Sequence, residues 1–163
     1  MLPTNRFSLL KKQLAILPEE KQKETLSNMM QKIIPIFGTL GIVIEEWQYE
    51  KCQLSLFNQL GVQNGWGSIQ AGGIYTLAES AMALVIGANI LDTQLVLAKS
   101  VTIDYLKKAK GNIIAKTELT AAQVNLIREQ EKGELQLQSA IFDEGNTLVS
   151  ICKATWIWHS LKK

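Results

Sequence analysis

One acidic residue, Glu79, lies inside the most apolar segment of the chain, which runs from Ala71 to Leu91. A carboxylate in apolar surroundings is unfavourable unless it is hydrogen-bonded or reaches a water-filled cleft or an interface. Burial also raises the pKa of a carboxyl group, which suits it to general-base catalysis or nucleophilic attack. Glu79 is therefore a candidate catalytic residue, and the alternative is an acid that caps or bridges another segment.

The segment just before this run, NGWGSIQAGG at 64–73, combines several glycines with two side-chain amides. Glycine lets the backbone approach a ligand closely. If a helix begins near Ala71, its first N–H groups have no partner within the helix, and its dipole places positive potential there. We therefore interpret the segment as a candidate site for an oxyanion, the charge that develops on a carbonyl oxygen during acyl transfer.

Four other polar side chains surround these features. Asn64 could hold a thioester carbonyl or position a water molecule, although Asn before Gly is also a common turn signal. Gln70 taken alone indicates a solvated or backbone-bonding side chain. Tyr75 and Thr76 flank Glu79 at helical spacing and add two hydroxyls to a mostly apolar wall.

Composition excludes several classes of function. The formal charge is +2 and the lysines are scattered, so the sequence lacks the basic footprint of a nucleic-acid-binding protein. The single histidine, His159, excludes a multi-histidine metal site within one chain and leaves no histidine near the loop for nucleophilic catalysis. We expect neither a metal nor a cofactor.

The rest of the sequence predicts the elements that position these residues. Amphipathic spacing after Pro18 predicts a helix that Pro35 ends, with a turn at Gly38 and Gly41. Alternating residues predict strands later in the chain, and DEGN predicts a hairpin turn with Gly145 available for a positive φ. The predicted elements are a helix at 18–36, one or two strands at 42–57, a helix from 71, strands at 95–107 and 112–120, a short helix at 120–132, and strands at 135–142 and 147–158. This order predicts an α+β domain whose antiparallel sheet wraps the central helix.

The sequence also carries signals for the protein's compartment. No signal-peptide pattern is present near the start. Glu79 and Asn89 interrupt the apolar segment, which favours a buried helix over a membrane span. Cys52 and Cys152 lie in strand-like segments, as reduced core thiols do. We therefore expect a cytoplasmic protein that does not enter a membrane.

The spacing of these residues resembles a known signature. The pattern Asn64-x-x-Gly67-x-Ile69-Gln70-Ala71-Gly72, followed by Tyr75-Thr76-Leu77-Ala78-Glu79, resembles the motif of hot-dog fold acyl-CoA thioesterases of the phenylacetate-type and 4-hydroxybenzoyl-CoA thioesterase groups. In those groups the stretch commonly reads N-x-x-G-x-x-H-G-G, with an Asp or Glu nine residues after the His, and the register holds here without a gap. The resemblance covers residues 40–158. It implies a hot-dog domain at 38–163, with a long central helix, preceded by a helical extension at 1–37.

Carried over position by position, the resemblance implies roles in thioester hydrolysis. Glu79 would attack the thioester carbonyl or activate a water molecule. The backbone N–H of Ala71, with that of Gly72, would polarise the carbonyl oxygen, and Asn64 would orient the water or the thioester. The implied substrate-binding residues are Gln70, Gly72, Tyr75 and Thr76. Gln70 stands where the family has His, and Ala71 stands where it has Gly.

The resemblance also implies partners. The substrate would be a small acyl thioester of coenzyme A or of a carrier protein. The protein would form a homodimer or a dimer of dimers, its sheets joined edge to edge, with each site shared between the Glu of one chain and the loop of the other. The N-terminal extension would cover either the acyl tunnel or a sheet edge.

Two alternatives to an active thioesterase follow from the same residues. The missing His and the missing Gly favour a non-catalytic hot-dog module that binds an acyl chain or serves assembly. A hot-dog dehydratase is a weaker alternative, because those enzymes generally use a catalytic His and none stands near the motif.

Overall fold

Within residues 3–161, six strands form one antiparallel sheet and five α-helices accompany them. The computed structural model describes residues 3–161. In chain order the elements are α1 (Arg6–Leu14), α2 (Glu19–Ile33), α3 (Pro35–Leu40), β1 (Val43–Trp47), β2 (Lys51–Leu56), a 3₁₀ turn (Leu60–Val62), α4 (Ala71–Gly87), β3 (Gln94–Tyr105), β4 (Ile113–Glu118), α5 (Ala121–Glu129), β5 (Gly133–Asp143) and β6 (Leu148–Ser160). The strand order across the sheet is β1-β2-β4-β5-β6-β3.

Helix α4 is the apolar segment predicted from the sequence, and the sheet curves around it. The helix contacts β2, β3, β4, β5 and β6. Its residues Leu77, Ala78, Ala81, Met82 and Val85 are completely buried. Strands alternate as a half-buried sheet requires, since the odd-numbered residues of β5 from 135 to 143 are buried while those between them are exposed or partly exposed. The predicted hot-dog arrangement, an antiparallel sheet around a long central helix, is confirmed.

Both cysteines lie in the core beside large apolar side chains. Cys52 and Cys152 are buried and free, and burial raises the pKa of the Cys152 thiol to about 11. Trp156 and Trp158 of β6 are each 1% exposed. Gly133 of β5 lies opposite the Trp158 ring, where an added Cβ would come within 2.2 Å of it. The Trp158 ring therefore packs directly against the backbone of Gly133, and a residue with a Cβ at this position would clash with the ring.

The N-terminal helices cover the β1 edge of the sheet. The Ile44 N–H of β1 donates to Ser27 Oγ of α2 at 3.0 Å, and Gln31 Nε2 donates to the Ile42 carbonyl at 3.0 Å. Asn5 caps α1, and its Nδ2 also donates to the Ala88 carbonyl just after α4 at 3.0 Å. Helix α2 thus satisfies edge groups of β1 that would otherwise invite another strand.

The opposite edge of the sheet is open. Strand β3 has 12 residues and pairs only with β6 within residues 3–161. Its side chains are exposed or partly exposed over most of its length, and Leu97 and Tyr105 are 49% and 48% exposed. A long strand with one unpaired edge is a template for pairing with another chain.

Two local predictions need correction, and one helix, α1, was missed. The helix predicted after Pro18 does end before Pro35, because a residue before proline avoids the α region and Ile34 has φ −114° and ψ 94°, and the short helix α3 follows it. Gly38 lies within α3, so the predicted turn reduces to Gly41, whose φ is 73°. In the β5–β6 turn the positive φ of 56° falls on Asn146 and not on Gly145. Asn tolerates the left-handed region, so it serves the turn equally well.

The boundary between the extension at 1–37 and the domain at 38–163 stays a prediction. Residues 1, 2, 162 and 163 of those ranges lie outside the described residues. Across the part of the chain that is described, no helix combines the length and the apolar character needed to cross a membrane.

Candidate active site

Asn64 organises the loop that leads into α4. Its Oδ1 accepts the backbone N–H groups of Trp66 at 2.9 Å and Ser68 at 3.3 Å. Its own N–H donates to the Ser68 carbonyl at 2.7 Å, and Gly67 takes a φ of 72°. The side-chain oxygen of Asn64 therefore stabilises the turn, as the turn interpretation of this residue predicted. Its Nδ2 forms no hydrogen bond within residues 3–161 and is the group left for a ligand.

Gln70 is the N-cap of α4. Its Oε1 accepts the N–H of Gly72, and its carbonyl accepts the N–H groups of Gly73 at 2.9 Å and Ile74 at 3.2 Å. The side chain of Gln70 thus occupies one of the two amides predicted to hold an oxyanion. The N–H of Ala71 has no partner among the described residues, so it is the donor that remains at the positive end of the helix.

Glu79 lies two turns further along α4 and is partly buried. Its carboxylate forms no hydrogen bond and no ion pair with any described residue. Burial raises the pKa of this carboxyl group above its ordinary value. An unpartnered carboxylate in partly desolvated surroundings is unfavourable for folding and suited to proton transfer.

The neighbours of Glu79 place it on the side of α4 that faces β6 and the open edge. Burial, and after it the charge of Glu79, raises the pKa of both Tyr75 and Cys152. Cys152 pairs across the sheet with Ile103 of β3. The carboxylate therefore lies near Cys152 of β6, which is the strand next to the open edge strand β3.

Tyr105 is a site residue that the sequence did not single out. Its hydroxyl donates to the Ala71 carbonyl at 3.1 Å and so joins the end of β3 to the first turn of α4. Thr76 stabilises the same turn, since its Oγ1 donates to the Gly72 carbonyl at 2.8 Å. The alternation of β3, which places Tyr105 on the face of Val101 and Ile103, is the signal that could have found it.

A groove of about 610 Å³ opens beside the start of α4. Its lining, which we call the loop groove, is Asn64, Trp66, Ser68, Ile69, Ala71, Ile74, Tyr105, Leu106, Lys107, Lys108 and Ala109. It brings Asn64 and Ala71 together, whereas the other predicted site residues, Glu79, Gln70, Gly72, Tyr75 and Thr76, do not line it. A second depression of about 580 Å³, around Gln136, Gln138 and Lys153, contains none of the predicted site residues.

Helix geometry separates the two central groups of the predicted site. Ala71 and Glu79 are eight residues apart, which is about 12 Å along a helix axis. A thioester carbonyl held by the Ala71 N–H therefore lies beyond the reach of the Glu79 carboxylate of the same chain. One chain carries both groups but does not bring them to the same carbonyl.

The described residues contain no group of three or more His, Cys, Asp or Glu side chains that could hold a metal ion.

Comparison with known proteins gives a family and a fold. Residues 22–158 match the family model described as a domain of unknown function, DUF4442. The structure is similar to that of a Pseudomonas aeruginosa protein of unknown function described as a "probable thioesterase", with 23% identity, a TM-score of 0.74, and coverage of 89% of this chain and 97% of that one. A Haemophilus influenzae thioesterase is 16% identical, with a TM-score of 0.70 and coverage of 86% and 92%. A thioesterase family protein from Silicibacter pomeroyi is 15% identical, with a TM-score of 0.69 and coverage of 83% and 96%. None of the curated proteins matches this chain. The resemblance seen in the sequence is confirmed at the level of the fold.

Proposed function

We propose that this protein, which belongs to the DUF4442 family, hydrolyses acyl thioesters. The observation that carries the proposal is Glu79, a partly buried carboxylate with a raised pKa and no partner among residues 3–161. It projects from the helix whose first N–H, that of Ala71, also has no partner in the described part of the chain. Acyl transfer to water requires a group that accepts a proton from the water and a group that donates a hydrogen bond to the oxyanion.

The proposed reaction uses this chain's own groups throughout. The thioester carbonyl oxygen accepts a hydrogen bond from the Ala71 N–H, which polarises the carbonyl carbon. Glu79 accepts a proton from a water molecule as the water oxygen attacks that carbon. The C–S bond then breaks, and the proton passes to the departing sulfur. The products are a carboxylic acid and a free thiol. Direct attack by the Glu79 carboxylate, through an anhydride that water then cleaves, gives the same products.

Two chains are needed to assemble this site. The separation of about 12 Å between Ala71 and Glu79 along α4 prevents one chain from presenting both to one carbonyl. Glu79 lies near β6, the strand next to the open edge strand β3, and pairing of two β3 strands about a two-fold axis would bring the loop of each chain towards the acid of the other. We therefore include a homodimer in the proposal, with a dimer of dimers as its extension.

Asn64 and Gln70 take supporting roles in this scheme. Asn64 uses its oxygen to fold the loop and offers Nδ2 to the water or the thioester. Gln70 holds the first turn of α4 through Gly72 and thereby positions the Ala71 N–H. Tyr75 and Thr76 form the wall beside Glu79. The acyl group would be carried by coenzyme A or by a carrier protein.

The test is release of free thiol from a panel of acyl-coenzyme A thioesters, from short aliphatic to long and aromatic, by wild type and Glu79→Ala. Turnover by wild type alone is the expected result. Equal turnover by a folded Glu79→Ala variant would refute the role of the acid.

A non-catalytic acyl-binding module is the second candidate. Gln70 Oε1 accepts the Gly72 N–H, so that, among residues 3–161, one N–H at this helix end is left to bind an oxyanion. Native mass spectrometry that finds a retained lipid, together with no turnover across the panel, would favour the module.

A further inference from the structure

The loop groove has a basic mouth that the proposed hydrolysis does not use. Lys107 and Lys108 line it, and Lys110 follows two residues later. None of the eleven lining residues is acidic. The ion pairs within residues 3–161 involve other lysines, so the charge of these three is not neutralised by a carboxylate there. The groove therefore attracts an anion close to the Ala71 N–H.

Trp66 stands at the same mouth with its side chain in solvent. The residue is 82% exposed, although its loop is tied down. Its N–H donates to Asn64 Oδ1 at 2.9 Å, its carbonyl accepts from Lys108 Nζ at 3.4 Å, and the next carbonyl, that of Gly67, accepts from Asn58 Nδ2 at 3.0 Å. The backbone that carries the indole is thus held in place, and the indole itself is not used in the core. An exposed aromatic face on an anchored loop is a surface on which a base can stack.

The two features together match one end of a particular substrate. Coenzyme A carries its acyl thioester at one end of a flexible pantetheine arm and an adenine nucleotide with several phosphates at the other. A carrier protein presents the same arm on a single phosphodiester and has no purine. Aromatic and cationic groups side by side, beside an oxyanion donor in one groove, fit the nucleotide better than the carrier.

We propose that the mouth of the loop groove binds the nucleotide of coenzyme A, with Trp66 stacking on the adenine and Lys107 and Lys108 pairing with the phosphates. This inference rests on the proposed thioester hydrolysis and selects the coenzyme A thioester as its substrate. The lysines come from a segment 41 and 42 residues after Trp66, which the fold brings to the same mouth.

The kinetic test compares one acyl group on coenzyme A with the same acyl group on pantetheine, which lacks the nucleotide. Trp66→Ala should raise KM for the coenzyme A thioester about tenfold and leave kcat and the pantetheine thioester unchanged. Trp66→Phe should restore most of the loss. The double variant Lys107→Ala, Lys108→Ala should raise the same KM and reduce its dependence on salt. Lys21→Ala removes an exposed lysine from α2 and is the matched control.

Each of three results with these thioesters, variants and vesicles would overturn the inference, and a fourth comes from binding of free coenzyme A. In the first, wild type has the same KM for the coenzyme A thioester and for the pantetheine thioester. In the second, the variants change turnover only of a thioester carried by an acyl carrier protein. In the third, the variants lose binding to anionic phospholipid vesicles while their KM for the coenzyme A thioester stays the same. Binding of free coenzyme A, measured by calorimetry, separates this inference from the proposed hydrolysis. Binding that weakens about tenfold in Trp66→Ala supports the inference even if no thioester is turned over. Absence of binding overturns it.

Discussion

The N–H of Ala71 can be deleted without disturbing the helix that carries it. Ala71 is the first residue of α4, a position that proline tolerates because its N–H has no partner in the helix. A proline also requires the preceding residue to be extended, and Gln70 already has φ −69° and ψ 147°. We therefore expect Ala71→Pro to fold and to lack only the oxyanion donor.

The expected loss of activity follows from the number of donors. Because Gln70 Oε1 accepts the Gly72 N–H, the Ala71 N–H is the single donor at this helix end that has no partner among residues 3–161. Removal of one oxyanion donor typically lowers kcat about 10²- to 10³-fold. We expect Ala71→Pro to fall in that range, with KM changed less than kcat because the hydrogen bond strengthens as charge develops on the oxygen.

Mixing variants then tests whether two chains share the site. In a mixed dimer of Ala71→Pro and Glu79→Gln chains, one site combines both intact groups and the other combines both defects. Random association of equal amounts makes about half of the dimers mixed, so the mixture should regain about a quarter of wild-type activity. The assay is thiol release after the two proteins are unfolded together and refolded.

Two results would refute the reasoning. Full activity in a folded Ala71→Pro variant would show that the N–H plays no part. Two inactive variants that regain nothing on mixing, although mass spectrometry shows mixed dimers, would show that each site lies within one chain.

Other substitutions and reactions are predicted by the same structure. Burial raises the folded-state pKa of Glu79, so the folded protein holds this proton more tightly than the unfolded chain and loses stability as pH rises through that pKa. Glu79→Gln should therefore raise the melting temperature at neutral pH, by up to about 3 °C since the side chain keeps some solvent access, and an unchanged or lower value would contradict this. Gly133→Ala would place its Cβ 2.2 Å from the Trp158 ring and should destabilise the fold by about 1–3 kcal/mol. In Gly87→Ala, whose added Cβ meets nothing within 4 Å, urea unfolding should show equal or higher stability. Both buried thiols should react with a thiol reagent only after unfolding, because burial raises the pKa of Cys152 to about 11, and fast labelling of native protein would contradict it.

Elements with strong periodicity could be predicted from the sequence. The apolar run of α4 and the alternation of β3 to β6 identify both partners of the core, so the sheet around the helix followed from them. Helix α1 was missed although it carries a local signal in its N-cap, Asn5, and only its docking onto the rest of the fold depends on distant contacts. Asn5 donates to the carbonyls of Ala88 and Ile90, which lie more than eighty residues away in the chain. Local spacing carries no signal for such a contact.

The candidate site could likewise be predicted only in part from the sequence. Glu79 stood out because an acid in an apolar run is unfavourable and therefore conspicuous. The capping role of Gln70 did not stand out, because it depends on a side-chain rotamer. The basic mouth of the loop groove did not stand out either, because it depends on a fold that brings Lys107 and Lys108 to Trp66. Lys107 and Lys108 are adjacent in the sequence, but only the fold brings them to Trp66, which lies about forty residues earlier in the chain.

The two edges of the sheet also bear on how the chain assembles. A sheet that is open at both edges can add strands without limit and form filaments. In this chain α2 occupies the β1 edge, where Ser27 already satisfies the Ile44 N–H, while the outer edge of β3 has no partner strand within residues 3–161. If two copies join through β3, each presents the same edge to the other, and the pairing closes after two chains. The covered edge thus favours a closed dimer through β3, and the same contact would bring a second chain towards Glu79. Any tetramer would have to form through another surface.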